Sequence, residues 1–282
     1  MAEYISATIT NKYYDLTAAG RKVADYVLTD SVSAQYMSIS DLAEACGVGE
    51  ASITRFCRTL GLRGYSDFKL ALAEEAGNRQ DITARAGIEP GDSVTGHIRR
   101  LLSVQTALLA QTVERLEPEA LTRAVELLSG ARRVLCLGQG SSQVMAQEAW
   151  TLFSTVSGKF SCVMDSHSQA VAVALMDAED AILCFSYSGS TKELEDVLPL
   201  AVANGTRVVL VTRYAKSPAV NHSDVVLHCG SDEGPLQQSS AAARISQLFI
   251  IDALFQEYCL REPEQSARNR DKVARAMALK HV

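Results

Sequence analysis

The sequence predicts two units of different class. An all-α helix-turn-helix head is followed by a three-layer αβα domain built on a five-stranded parallel sheet. Three observations predict this. Residues 38–61, SISDLAEACGVGEASITRFCRTLG, hold a short helical pattern, a glycine break and a second helical pattern. From Arg133 onward, five apolar runs alternate with helical stretches, the pattern of a parallel sheet covered on both faces. Two of those runs end in loops rich in glycine and hydroxyls, 138–142 (GQGSS) and 186–191 (SYSGST). Such loops lie at the carboxyl ends of strands, where open α/β sheets bind ligands.

The totals agree with two units. A chain of 282 residues has room for about two domains of ordinary size. With 47% hydrophobic residues it can fill real cores. No apolar run reaches the ~20 residues that span a bilayer, so no membrane role is expected. The start, MAEYISATITNKYY, has neither a basic region nor an apolar run of the secretory kind, and a cytoplasmic location is expected. None of the seven cysteines forms C-x-x-C, and most sit in apolar runs. They read as small buried hydrophobes in a reducing compartment, with no metal framework.

The net charge of −6 argues against coating of nucleic acid by the whole chain. A local patch stands out all the same. Residues 1–54 hold Lys12, Arg21 and Lys22 against seven acidic side chains, whereas 55–69 hold Arg55, Arg58, Arg63 and Lys69 against Asp67 alone.

In the head, assigned to 1–76, Thr17 is placed to cap a helix carrying Val23, Tyr26, Val27 and Leu28 on one face. Ser38 and Asp41 have the spacing of a capping box for a helix over Ile39 to Cys46, with Leu42 and Ala43 inward. Gly47 suits a left-handed C-terminal cap. The second helix, Glu50 to Leu60, buries Ile53, Phe56, Cys57 and Leu60 at i, i+3, i+4 and i+7. That leaves Ala51, Ser52, Thr54, Arg55, Arg58 and Thr59 facing out. In a helix-turn-helix this helix enters the major groove, where Ser, Thr and Arg meet base edges. Arg63 and Lys69 are placed to reach flanking phosphates. Tyr65 and Phe68 close the small core, and Ser66 is placed to cap the next helix. A plain helical hairpin with solvated arginines is the alternative.

Residues 77–92 read as a linker, 93–262 as the sheet domain and 263–282 as a polar tail in a loosely held helix. The domain opens on a helix from Ser93 to Leu116 whose stripe is Ile98, Leu101, Leu102, Gln105, Leu108, Leu109 and Val113. That stripe packs on the domain or on a second copy. A helix from Pro118 to about Leu128 follows. The expected strands are Arg133–Leu137, Phe160–Met164, Ala181–Phe185, Arg207–Val211 and Asp224–His228. The expected helices are Ser142–Val156, Ser168–Met176, Thr191–Ala203, a weak Ser217–Asn221 and a last one from Ser239 to Tyr258.

Around 186–191, hydroxyls and backbone N–H groups gather at a helix start, an arrangement that suits an anion. A capped serine-rich turn is the plainer alternative. The 138–142 loop lacks the third glycine of a dinucleotide turn, although Asp165 at the next strand end keeps that alternative open. No cofactor is expected.

Taken together, Leu16-Thr17, VADYVL, SISDLAEACGV, ITRFCRTLGLRGYSDFK and SYSGST resemble the RpiR-type bacterial regulators. That family joins a helix-turn-helix to a sugar-isomerase (SIS) domain, and the likeness covers nearly the whole chain. Gly20 stands where an acidic residue is common, and Gly49 where a serine usually caps the recognition helix. The resemblance implies a regulator, expected to be a repressor of carbohydrate genes. It would bind two-fold double-stranded operator DNA as a homodimer or homotetramer and sense a phosphosugar. It further implies that Ser186, Ser188 and Thr191, with the backbone at Tyr187 and Gly189, hold the phosphate. Gly140, Ser141 and Ser142 would then meet the sugar. His167 is placed to bond a sugar hydroxyl or to cap the next helix. Glu233 is the best general base if the domain is catalytic. Ala243 replaces the serine common before the Arg244-Ile245 pair, with Ser239 and Ser240 nearby. The rival reading is a phosphosugar isomerase or etherase, which needs a positioned acid and base near the sugar carbons.

Overall fold

The computed structural model describes residues 5–79, 93–215, 217–230 and 241–280. The chain divides into two compact units. The first holds α1 (Ile5–Lys12), a 3-10 turn (Tyr13–Asp15), α2 (Ala18–Thr29), α3 (Ser31–Ala34), α4 (Ile39–Cys46), α5 (Glu50–Thr59) and α6 (Tyr65–Arg79).

Local signals fix most of these boundaries. The Thr17 hydroxyl accepts the Gly20 N–H and starts α2. Ser38 and Asp41 form both bonds of the capping box, and Gly47 ends α4 with φ 61°. Ile53, Phe56, Cys57 and Leu60 are buried in one core with Val23, Val27, Leu42 and Phe68. The Phe56 and Phe68 rings meet edge to face at 5.6 Å. The Tyr65 hydroxyl donates to the Met37 carbonyl at 3.0 Å.

Two expectations fail here. The buried stripe of α2 is Gly20, Val23, Ala24 and Val27, while Leu28 is 43% exposed. A stripe begun at Gly20 places Leu28 a further 100° round the helix. Ser66 does not cap α6. The Phe68 N–H donates to the Gly64 carbonyl, so the helix starts one residue earlier, and Asp67 turns back onto the Arg63 N–H.

The boundary between the units falls within α7 (Val94–Arg115), and the second takes it in from Thr106 on, then α8 (Pro118–Gly130), β1 (Val134–Gly138), α9 (Ser141–Phe153) and β2 (Phe160–Cys162). There follow α10 (Ser166–Ala174), β3 (Ala181–Phe185), α11 (Lys192–Ala203), β4 (Arg207–Thr212), a 3-10 turn (Pro218–His222), β5 (Val225–His228), α12 (Ala241–Arg261) and α13 (Pro263–Ala278). The strands are all parallel, in the order β2-β1-β3-β4-β5. Every residue of β1 and β3 is buried, as continuous apolar runs covered on both faces require.

At the amino ends of the strands, the fully buried Asp180 carboxylate meets Arg132 at 3.1 Å and Arg133 at 2.9 Å. Burial alone would raise its pKa, but the two guanidiniums outweigh that and hold it below the usual carboxylate range. Cys46, Cys57, Cys136, Cys184 and Cys229 are buried, and none of them is in a disulfide.

Several boundaries shift. β2 stops at Cys162 because the Val163 carbonyl accepts from the Gln169 side chain at 2.8 Å, and Met164 is exposed. Asp165 accepts the Ser168 N–H and starts α10 at Ser166. The weak helix before β5 is a 3-10 turn. On α7, Leu108 is buried, but Ile98, Leu101, Leu102 and Val113 are exposed. The tail is also held more firmly than expected. Asn269 on α13 donates to the Val156 carbonyl at 2.6 Å, and Arg270 lies over the Phe255 ring. Residues 80–92 of the expected linker lie outside the described residues.

Candidate ligand loops and nucleic-acid-facing helix

In the sheet order the chain leaves β1 toward one edge and β3 toward the other. The switch point therefore lies between β1 and β3, and open α/β sheets form their ligand crevice there. Gly138 pairs with Phe185 in register, so the loops 139–142 and 186–191 leave the sheet side by side.

The first loop depends on a close backbone approach. A Cβ on Gly138 would lie 2.4 Å from the Ser142 carbonyl oxygen, so only glycine fits. Gly140, with φ 56°, opens α9 without a side-chain cap. Ser142 is buried and Ser141 half-buried.

The second loop is pinned at three points. The Ser186 N–H donates to the Val211 carbonyl at 3.1 Å. The Tyr187 carbonyl accepts the Arg213 N–H at 3.1 Å and the Thr212 hydroxyl at 3.3 Å. The Gly189 carbonyl accepts the Ala219 N–H at 2.9 Å. Inside this frame the Ser186 hydroxyl accepts the Gly189 N–H at 3.1 Å and lies 3.4 Å from the Thr191 hydroxyl. The Ser188 hydroxyl accepts the Ser190 N–H at 3.3 Å.

Thr191 is the N-cap residue of α11, yet its side chain makes no capping bond. The capped-turn alternative predicts that bond. Without it, the Thr191 hydroxyl is turned to Ser186, and the loop hydroxyls lie next to the positive end of the helix dipole. In this conformation the Gly189 N–H is directed at Ser186 and not outward, and the Tyr187 ring packs 6.2 Å from the Tyr214 ring. Lys192 is exposed.

The other expected ligand residues divide. His167 is an exposed first-turn residue of α10, and Asp165 does the capping. Glu233, Ser239 and Ser240 lie outside the described residues. Three residues that the sequence reading passed over, Gln139, Gln143 and Gln169, join the first loop to α10. Gln169 shares the buried side of α10 with Val173, and a glutamine on an apolar helix face was the available signal. His228, at the end of β5, is half-buried, and burial lowers its pKa.

In the head, α5 follows Gly49 and likewise has no side-chain cap. Ala51, Arg55, Arg58 and Thr59 are exposed, and Ser52 and Thr54 half-buried, so α5 brings the expected base-facing side chains together. Arg55 reaches the Ser52 hydroxyl at 3.3 Å. Arg63 is not on this helix. Its guanidinium pairs with Asp67 at 2.7 Å and, through that bond, holds the carboxyl below its usual range. Lys69 is half-buried on α6. A further cation lies beside α5: Lys12 donates to the Thr59 carbonyl at 2.8 Å, at the negative end of the helix. That contact joins residues 47 positions apart, beyond the reach of any local pattern.

Among the described residues, no group of His, Cys, Asp and Glu is arranged to hold a metal ion, and no helix is long and apolar enough to cross a membrane.

Known proteins carry the same two parts. Residues 4–79 match the helix-turn-helix domain of the rpiR family, and residues 127–256 match the SIS domain. An HTH-type transcriptional regulator of Caldanaerobacter subterraneus subsp. tengcongensis is 31% identical over 251 residues, which cover 89% of each chain. One of Haemophilus influenzae is 30% identical over 274 residues, 95% of each chain. The structure of the Vibrio vulnificus NanR protein complexed with ManNAc-6P has a TM-score of 0.82 and 25% identity. The match covers 99% of this chain and 100% of that one.

Proposed function

Because this chain belongs to the rpiR family of helix-turn-helix transcriptional regulators with a SIS domain, we propose that it represses carbohydrate-metabolism genes and senses a phosphosugar. The observation that carries the sensing role is the 186–191 loop. It is pinned at the sheet's switch point, its hydroxyls gather at an uncapped helix start, and it lies beside the 139–142 loop.

In this reading the Ser186, Ser188 and Thr191 hydroxyls hold the phosphate with the first turn of α11. Tyr187 and Gly189 contribute backbone. Gly140, Ser141 and Ser142 meet the sugar, with His167 and Glu233 as further sugar contacts. ManNAc-6P in the NanR complex makes an amino-sugar phosphate the first ligand to try. On the DNA side, Ala51, Ser52, Thr54, Arg55 and Arg58 meet the major groove. Arg63 and Lys69 take flanking phosphates, for which Arg63 exchanges Asp67 for the DNA. The operator is two-fold, and the protein is a homodimer or homotetramer. The exposed Ile98, Leu101 and Leu102 of α7 support association. The domain binds its sugar without turning it over, as the names of its relatives suggest.

Regulation requires that the ligand favour one arrangement of the heads over another. The test is equilibrium binding to the gene's own upstream DNA at fixed salt, with and without a panel of sugar phosphates. Specific binding that a sugar phosphate weakens is expected. Absence of specific binding in every ligand condition would refute the proposal.

A further inference from the structure

Under the first loop, three glutamine side chains are joined end to end. Gln169 on α10 is fully buried. Its Nε2 donates to the carbonyl oxygens of Val163 at 2.8 Å and Gly138 at 3.2 Å, and faces Gln143 Oε1 at 3.0 Å. Backbone carbonyls only accept, so they fix which way the Gln169 amide points. Its Oε1 is then the acceptor, and it takes a hydrogen bond from Gln139 Nε2 at 2.6 Å. Gln143 Nε2 faces Cys162 Sγ and the Val163 carbonyl, which leaves its own Oε1 toward Gln169.

The direction of the chain carries through to its outer end. Gln139 lies half-buried between Gly138 and Gly140, in the loop beside the 186–191 loop. One N–H of its amide is committed inward to Gln169, which fixes how the amide is turned and leaves its carbonyl oxygen and second N–H for a ligand. A buried network whose members are satisfied holds its geometry and costs little to organise at the moment of binding.

We infer that Gln139 determines specificity for the sugar, with Gln169 as the residue that positions it. Gln139 Oε1 accepts a hydrogen bond from a hydroxyl or amide N–H of the sugar, while the 186–191 loop takes the phosphate. The network thus holds a fixed amide toward the sugar and disfavours a sugar that presents an apolar group there. The inference rests on the phosphosugar reading above and adds which part of the ligand the first loop recognises.

The test uses the full chain and calorimetric titration with N-acetylmannosamine 6-phosphate, glucosamine 6-phosphate and inorganic phosphate. Gln139→Met keeps the length of the side chain and removes the acceptor. It is expected to weaken the sugar phosphate that the wild type binds most tightly by about 10-fold, with inorganic phosphate unchanged. Gln169→Met is expected to narrow the same gap between sugar phosphate and inorganic phosphate by a smaller factor, through a misplaced Gln139. If Gln139→Met binds every ligand as the wild type does, or loses sugar phosphate and inorganic phosphate equally, the assignment is overturned. A wild-type protein that binds none of the three overturns the phosphosugar reading and this assignment together. Wild-type binding that Gln139→Met leaves intact overturns this assignment alone.

Discussion

Helices α5 and α11 are both assigned to an anionic ligand, DNA for one and a sugar phosphate for the other, and they start alike. Neither has a side-chain cap. By contrast α2 and α4, to which no ligand is assigned, are capped by Thr17 and Ser38. Beyond that shared start the two helices differ. Helix α5 offers exposed arginines with long reach, whereas α11 follows short hydroxyls on a backbone pinned to β4 and its exit. The proposed targets account for the difference. A polyanion releases counterions and rewards charge with freedom to adjust. A single dianion in a crevice rewards fixed donors.

The comparison can be broken first on the DNA side. Arg55→Ala with Arg58→Ala is expected to lower operator affinity about 100-fold at fixed salt and to narrow the preference for operator over unrelated DNA. Sugar-phosphate affinity is expected to stay at the wild-type value. Unchanged DNA binding would make α5 a packing helix.

The next largest effect tests whether the pinned side depends on its frame. Asp180→Asn leaves two half-exposed arginines without their buried partner, which is expected to cost roughly 2 kcal/mol. Because the folded carboxylate titrates below its unfolded value of about 3.9, its stabilisation is present above that value and fades as pH falls through the folded one. Thermal unfolding between pH 6 and pH 3 is expected to show a steeper loss in the wild type than in Asp180→Asn.

On the sugar side, Thr191→Val keeps shape and removes one hydroxyl. About a 10-fold loss of sugar-phosphate affinity is expected, with DNA affinity in the absence of ligand unchanged. Titration calorimetry checks the first and a DNA-binding isotherm the second. The smallest effect is Gly49→Ser, which supplies the missing cap in open space and is expected to stabilise the head by a few tenths of a kcal/mol. Unfolding of the full chain, followed through the tyrosines of the head, measures it.

Features written in neighbouring residues were legible in the sequence. The capping box at Ser38 and Asp41, the αL turn at Gly47 and the buried stripe of α5 each depend on residues within a few positions. The buried runs of β1 and β3 and the hydroxyl loop after β3 were visible for the same reason. What was missed depends on distant partners. Strand order has no local code, so the switch point that joins the two loops had to come from the structure. The Gln139–Gln169 bond spans 30 positions, and the contact of Lys12 with α5 spans 47. Met164 looked like strand until the Gln169 side chain took the carbonyl before it.

The central claim is that sugar phosphate at α11 and DNA at α5 bias the same equilibrium. Reciprocity tests it most directly. Titration of N-acetylmannosamine 6-phosphate, or of whichever panel member binds most tightly, is run with and without saturating upstream DNA at one salt concentration. Its affinity is expected to fall, by about 5- to 150-fold, and by the same factor by which the ligand weakens DNA binding. Equal ligand affinity in the two titrations, with both ligands bound, would contradict the account.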